Sequence, residues 1–255
     1  MPVLYLRRLT GKDRSQTANR QLARFLAFIA GATDAGGYVA ARQYTSHMSG
    51  ITSSMANRLA IGDLRLAAAG LSAIVAFVSG AACTAVLVNW GRRRRIHSEY
   101  AFPLMLEAAL LVCFGLMGKR FEEHHWLLVS ATVGLLCFTM GLQNAIITKI
   151  SQAEIRTTHV TGMVTDIGIE LGRLIYWNRG DHPGQQQVRA DRENLRMLVS
   201  LVGLFVIGGV VGAIGFVHVG FEITLPLAVI LLLLAVVPVM DDLRTILVSR
   251  AAWLK

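Results

Sequence analysis

The sequence predicts an all-α membrane protein: six transmembrane helices forming two inverted three-helix repeats, each with a broken or re-entrant segment after its first helix. Three observations lead there. Long apolar runs carry no charge, a six-residue phrase occurs twice, and basic residues crowd into alternate segments between the runs.

Composition sets the class. Hydrophobic residues make up 54% of the chain and charged residues 16%, with a mean hydropathy of +0.52. A soluble domain carries about 25% charged residues. Residues 66–90 contain no charge in 25 positions, 126–148 none in 23, and 197–217 none in 21. Each run exceeds the roughly 18 to 20 residues that cross a bilayer as a helix. Shorter candidates are 25–41, 101–118 and 223–240; the first two contain one acid each, Asp34 and Glu107. All six are read as helices, because lipid leaves an open backbone no other way to satisfy its polar groups.

The order of elements follows. Residues 1–24 form a basic cytoplasmic N-terminus, with no small-residue cleavage site after a short apolar stretch, so the first run reads as a signal anchor. Residues 25–118 are the first three-helix repeat. Residues 126–240 are the second, with a cytoplasmic insertion at 179–196 that contains Pro183 and three consecutive glutamines. Residues 241–255 form a cytoplasmic C-terminal segment with Leu243, Ile246, Leu247 and Trp253 in an amphipathic pattern suited to the inner membrane surface. Cys83, Cys113 and Cys137 all fall inside spans without ligand spacing, which reads as packing.

The net charge of +9 invites a nucleic-acid reading, but topology explains it better. Of 25 basic residues, 20 fall in the N-terminus, the segments after spans two and four, and the C-terminus. That is a strong positive-inside bias with both termini cytoplasmic. The Arg92–Arg95 run then reads as a topology anchor on anionic lipid.

The repeated phrase is Thr45-Ser46-His47-Met48-Ser49-Gly50 and Thr157-Thr158-His159-Val160-Thr161-Gly162, 112 residues apart. Upstream of each lies a second match, Gly31-Ala32-Thr33-Asp34-Ala35 and Gly141-Leu142-Gln143-Asn144-Ala145. Two matched blocks in one order indicate a duplicated unit. Three spans per unit is an odd number, so the units cross in opposite directions, as in many secondary transporters. Residues 42–62 and 150–178 are too polar for full spans. A re-entrant path keeps the arginine run inside, and irregular backbone at membrane depth is tolerated beside a cavity or protein.

Each phrase reads as a helix start, with Ser46 and Thr158 as capping hydroxyls. From Gly162 an apolar stripe continues through Met163, Ile167, Leu171 and Leu174, with Asp166, Glu170 and Arg173 on other faces. Two helix N-termini approaching from opposite sides favour an anion or the negative end of a dipole. His47 and His159 stand at those ends, as residues of a type that titrates near neutral pH. The alternative is that the hydroxyls and imidazoles only tie broken backbone to neighbouring helices.

Asp34 is the sharpest single position, since ionisable groups at such depth are rare and face a cavity or a partner. Its counterpart Asn144 keeps the shape without the charge. A buried helix tie is the competing reading. Glu107 has no counterpart; pairing with His47 or Asp34 and a place near the cytoplasmic end are both open. The candidate solute-binding residues are therefore Asp34, Thr45, Ser46, His47, Ser49, Gly50, Glu107, Asn144, Thr157, Thr158, His159, Thr161 and Gly162. Gly208-x-x-x-Gly212, and Gly80 with Thr84 four residues on, read as small-residue packing faces. Catalytic motifs are missing: no His-Glu-x-x-His, no phosphate-binding loop, no Gly-x-Ser-x-Gly. His124-His125 beside Glu122-Glu123 has the ordinary polar character of an outer loop.

Thr45–Gly50 following Asp34-Ala35-Gly36-Gly37-Tyr38 resembles the first motif of the bacterial YoaK-like membrane family, and Thr157–Gly162 resembles its second. Ile51 stands where that family usually has Asn, and His159 where Tyr is common. The resemblance covers roughly residues 20 to 245 and implies a six-span inner-membrane protein, with no particular activity.

The expected function is a small bacterial inner-membrane transporter or channel-like protein for a small polar solute, and not an enzyme. The alternative is a membrane-embedded binding or scaffold protein. No cofactor and no metal are expected. The expected partners are the lipid bilayer and the solute, without nucleic acid; a homo-oligomer is left open.

Overall fold

The computed structural model describes residues 16–94, 96, 98–117, 125–150, 159–176 and 187–253. Its described residues are all-helical. In chain order the helices are α1 Gln16–Ala41, α2 Met48–Ala60, α3 Leu64–Arg93, α4 Ala101–Met117, α5 His125–Ile150, α6 Val160–Ile175, α7 Arg192–His218 and α8 Thr224–Trp253. A 3₁₀ turn, Gly220–Ile223, joins α7 to α8. The expected residues Thr157 and Thr158, the loop 122–124 and residues 179–186 of the insertion lie outside the described residues.

Among the described residues, four helical stretches are long and apolar enough to cross a membrane: α3, α5 from Ser130, α7, and Gly220–Val237. The apolar helix α4 is shorter. The described residues of the six expected spans are helical, and two of these helices run more than eight residues past the expected bounds. Helix α1 is already formed at Gln16, where Ala18, Leu22 and Ala23 bury one face while Arg20 reaches Glu193 of α7. Helix α8 runs unbroken to Trp253, about 45 Å at 1.5 Å per residue. The segment after residue 240 is thus no separate surface element. Asp242 is buried and accepts a hydrogen bond from Ser98 N–H at 2.8 Å, which ties α8 to the α3–α4 connection.

The principal helix pairs are α1 with α7, α3 with α5, and α4 with α8; α2 lies on α3 and α6 on α7. A pattern unseen in the sequence reading governs the first two pairs. Phe-x-x-Gly occurs at Phe28–Gly31, Phe77–Gly80, Phe138–Gly141 and Phe205–Gly208. A Cβ on Gly31 would overlap the carbonyl oxygen of Phe205, and one on Gly208 would overlap that of Phe28. Gly80 and Phe138 stand in the same relation, as do Gly141 and Phe77. Both crossings therefore bring backbone against backbone, reciprocally, with Cα–H groups facing carbonyl oxygens. Four residues on, Gly212 sits against the backbone of Ala32, while Thr84 donates its hydroxyl to Leu142 O at 2.9 Å. The packing faces expected at Gly80/Thr84 and Gly208/Gly212 are these crossings.

Helix starts repeat as well. Asp63 caps α3 by accepting from Leu66 N–H, and Asp191 caps α7 by accepting from Glu193 and Asn194 N–H. Asp63 and Asp191 are 128 residues apart, as are Gly80 and Gly208. Pro103 and Pro226 each occupy the third position of their helices, α4 and α8, where a missing N–H leaves no intrahelical bond unmade. Gly62, with φ +78°, supplies the left-handed residue of the tight α2–α3 turn. Glu170, expected on a polar face of α6, is buried; it accepts from Arg173 and from Asp191 N–H, joining α6 to the α7 cap.

The crossings make a direct prediction. Gly208→Ala pushes a methyl group into the carbonyl of Phe28 and lowers thermal stability in detergent by about 1 to 3 kcal/mol. Gly203→Ala on the same helix meets nothing within 4 Å and leaves stability unchanged or slightly raised. Equal melting of Gly208→Ala and the parent protein would contradict the close crossing.

Candidate functional site

The site begins with small residues on α1. Gly31 admits the α7 backbone, Gly36 receives the ring of Phe216, and Gly37 lies against Leu136 and Thr45. Between them Asp34 is buried, with 6% of its surface exposed. Its Oδ1 accepts hydrogen bonds from Thr45 N–H at 2.9 Å, Thr45 Oγ1 at 3.3 Å and Ser46 N–H at 2.9 Å. The chain reverses just before, where Arg42 ends α1 at φ +55° and its N–H donates to Tyr38 O. Tyr38 and Tyr44 stack across this turn with ring centroids 4.7 Å apart. Asp34 thus meets backbone donors that the break would otherwise leave without partners, each worth about 1 to 3 kcal/mol when buried.

The two phrases build the same local structure. His47 precedes α2 with φ −89° and ψ +69°, and His159 precedes α6 with φ −85° and ψ +57°. In each, the imidazole folds over the glycine three residues on, Gly50 or Gly162, where a Cβ would strike the ring. This explains the His-x-x-Gly spacing. It also corrects the expected caps: the N-cap residue is the histidine in both helices, and neither makes a side-chain cap bond. Ser46 instead donates its own N–H to Asp34.

These elements surround one cavity of about 1110 Å³. Asp34, Ser46, His47 and Ser49 line it from the first half of the chain; Asn144, His159 and Thr161 line it from the second. Seven of the expected residues therefore share one wall, although the phrases are 112 residues apart. The opening residues of α2 and α6 both belong to it, so two sets of helix-terminal N–H groups stand near the space. Phe77, Ala81, Ala85 and Phe205 form its apolar side.

Other expected residues lie elsewhere. Thr45 is fully buried behind Asp34. Gly50 and Gly162 lie beneath the imidazoles, and Gly50 borders a smaller cavity of about 420 Å³ with Arg42, Arg58 and Ser54. Glu107 is buried on α4, away from the cavity wall, and its Oε2 has no hydrogen-bond partner among the described residues. It pairs with neither His47 nor Asp34.

The sequence reading missed Thr148 and Lys149, which line the cavity one turn beyond Asn144 and Ala145. Their signal was helical spacing from Asn144 along α5. It also missed Tyr44 and the two phenylalanines of the crossing pattern. The described residues contain no group of three or more His, Cys, Asp or Glu able to hold a metal ion. The site offers hydrogen-bonding groups and both signs of charge, in a space slightly larger than the roughly 300 to 1,000 Å³ typical of small-ligand pockets.

No curated protein and no solved structure matches the chain. A family model described as "Protein of unknown function (DUF1275)" matches residues 22–237. That interval takes in both phrases, all four crossing glycines and every residue placed on the cavity wall. The chain accordingly belongs to the DUF1275 family.

Proposed function

We propose that this chain is a small transporter or channel-like protein of the bacterial inner membrane, with a central site for a small polar solute between two inverted three-helix units. The observation that carries this reading is the cavity, where matching positions of the two halves, Asp34 with Asn144 and His47 with His159, line one space. Packing supports it. Exchanging α1 with α5, α2 with α6, α3 with α7 and α4 with α8 turns the α1–α7 pair into α5–α3, the α2–α3 pair into α6–α7, and α4–α8 into itself. In inverted-repeat transporters the solute site lies near the bilayer midplane at the repeat interface, beside broken helices, and the two units move around it.

In this reading α1 and α4 complete six spans with the four longer apolar helices, and both termini are cytoplasmic. Residues 42–62 and 150–178 return to the side they left; α2, about 20 Å long, is too short to cross alone. The resemblance of both phrases to the YoaK-like family points the same way. Reporter fusions after Arg94 and after Lys255 both read cytoplasmic. A periplasmic signal after Arg94 would overturn the re-entrant path.

A second reading has its own support. Asp34 Oδ1 is already occupied by the backbone of Thr45 and Ser46, as in a helix tie. The chain would then be a binding or scaffold protein without flux. Asp34→Asn separates the two, because an amide oxygen still accepts both N–H groups while the carboxylate charge is lost. We expect this variant to insert and melt like the parent, while pH-dependent solute uptake into proteoliposomes falls about tenfold or more between pH 5 and 8. Equal uptake with an unchanged pH profile would make Asp34 a tie and favour the scaffold.

A further inference from the structure

The cavity is matched in shape between the halves but not in charge. The 110-residue offset that relates Gly31 to Gly141 and Asp34 to Asn144 relates Val39 to Lys149. Lys149 lines the cavity and Val39 does not. One half thus contributes a carboxylate without an ammonium, and the other an ammonium without a carboxylate. The two are not bonded to each other, and Lys149 makes no ion pair among the described residues. Both groups lie on the wall of one largely apolar space, which Ala81 and Ala85 also line.

We propose that the solute is a small zwitterion: a molecule of amino-acid size carrying one ammonium and one carboxylate or sulfonate. Its ammonium is held by Asp34. Its anionic end is held by Lys149 and the first-turn N–H groups of α6. The argument is one of complementarity. An anion alone gains Lys149 and a helix terminus but faces the Asp34 carboxylate. A cation alone gains Asp34 but faces Lys149 and two helix N-termini. A dipolar molecule leaves neither protein charge unpaired, which is what a partly desolvated site requires. Helix N-termini are established partners for solute carboxylates in membrane carriers. The apolar side of the cavity, Phe77 with Ala81 and Ala85, leaves room for an uncharged body. This inference rests on the cavity being a solute site, as proposed above.

Three pools of matched compounds test it on the full-length protein in detergent micelles, read as a shift in melting temperature. The first holds zwitterions: amino acids with uncharged side chains, glycine betaine and taurine. The second holds the corresponding 2-hydroxy acids, which lack the ammonium. The third holds the corresponding amino alcohols, which lack the carboxylate. The zwitterion pool raises the melting temperature in a concentration-dependent way, and the other two do not. Lys149→Gln and Asp34→Asn each weaken that response about tenfold. Lys149→Gln gains a response to the amino alcohols, and Asp34→Asn gains one to the hydroxy acids. The Lys149 side chain makes no hydrogen bond to another described residue, so its variant reports binding rather than folding. A response to a single-charge pool without one to zwitterions overturns this inference and leaves the central site standing. An unchanged zwitterion response in both variants overturns the assignment of the two charges. No response to any pool overturns this inference, while the solute-site reading beneath it stands or falls on the uptake comparison of the parent and Asp34→Asn described above.

Discussion

The contact between glycine Cα and a facing carbonyl oxygen sets the geometry of this molecule. Gly31 and Gly208 bring α1 and α7 to backbone contact, and Gly80 and Gly141 do the same for α3 and α5. Lipid gives helices no hydrophobic reason to associate with one another rather than with acyl chains, so close packing has to supply the affinity. Each crossing joins a helix from the first half of the chain to one from the second. The halves are interlocked rather than laid side by side. The cavity follows from this arrangement: Phe77 and Phe205, the first residues of two crossing patterns, are part of its wall.

The second constraint is the broken backbone. After α1 the chain turns back with donors that a continuous helix would have satisfied. Asp34 accepts two of them, Thr45 N–H and Ser46 N–H. The same side chain reaches the cavity. A residue that holds the break and borders the space couples the fold of the phrase to whatever occupies that space. The second half has Asn144 at the corresponding position, and its charged residue, Lys149, lies about one and a half turns further along α5. The two halves have thus kept one shape and diverged in charge.

Much of this was legible in the sequence, for identifiable reasons. Apolar run length located the four helices long and apolar enough to cross a membrane, and the shorter α4, because a run of that length has few other destinations. The repeat brought Asp34, His47, Asn144 and His159 together on paper, and they share a wall. Helix ends were less legible. Residues 16–24 belong to α1 because Leu22 and Ala23 pack inward between half-buried polar neighbours, a pattern that run length does not detect. The continuation of α8 depends on a bond between Asp242 and Ser98, 144 residues apart. Glu107 could not be placed, because the face of an apolar helix is decided by its neighbours. The crossing pattern was present in the sequence as four Phe-x-x-Gly segments. It was hidden because the first and third helices of each half carry different offsets, 110 and 128 residues.

The central claim is that two phrases far apart in sequence face one another inside one membrane cavity. The most direct measurement is the distance between positions 47 and 159 in a bilayer. Cysteines introduced as His47→Cys and His159→Cys, in a chain lacking Cys83, Cys113 and Cys137, can be cross-linked with a short bifunctional reagent and spin-labelled for a distance distribution. The account predicts efficient cross-linking within one chain and a single short distance. A separation beyond about 20 Å, more than half the hydrocarbon thickness of a bilayer, would contradict it.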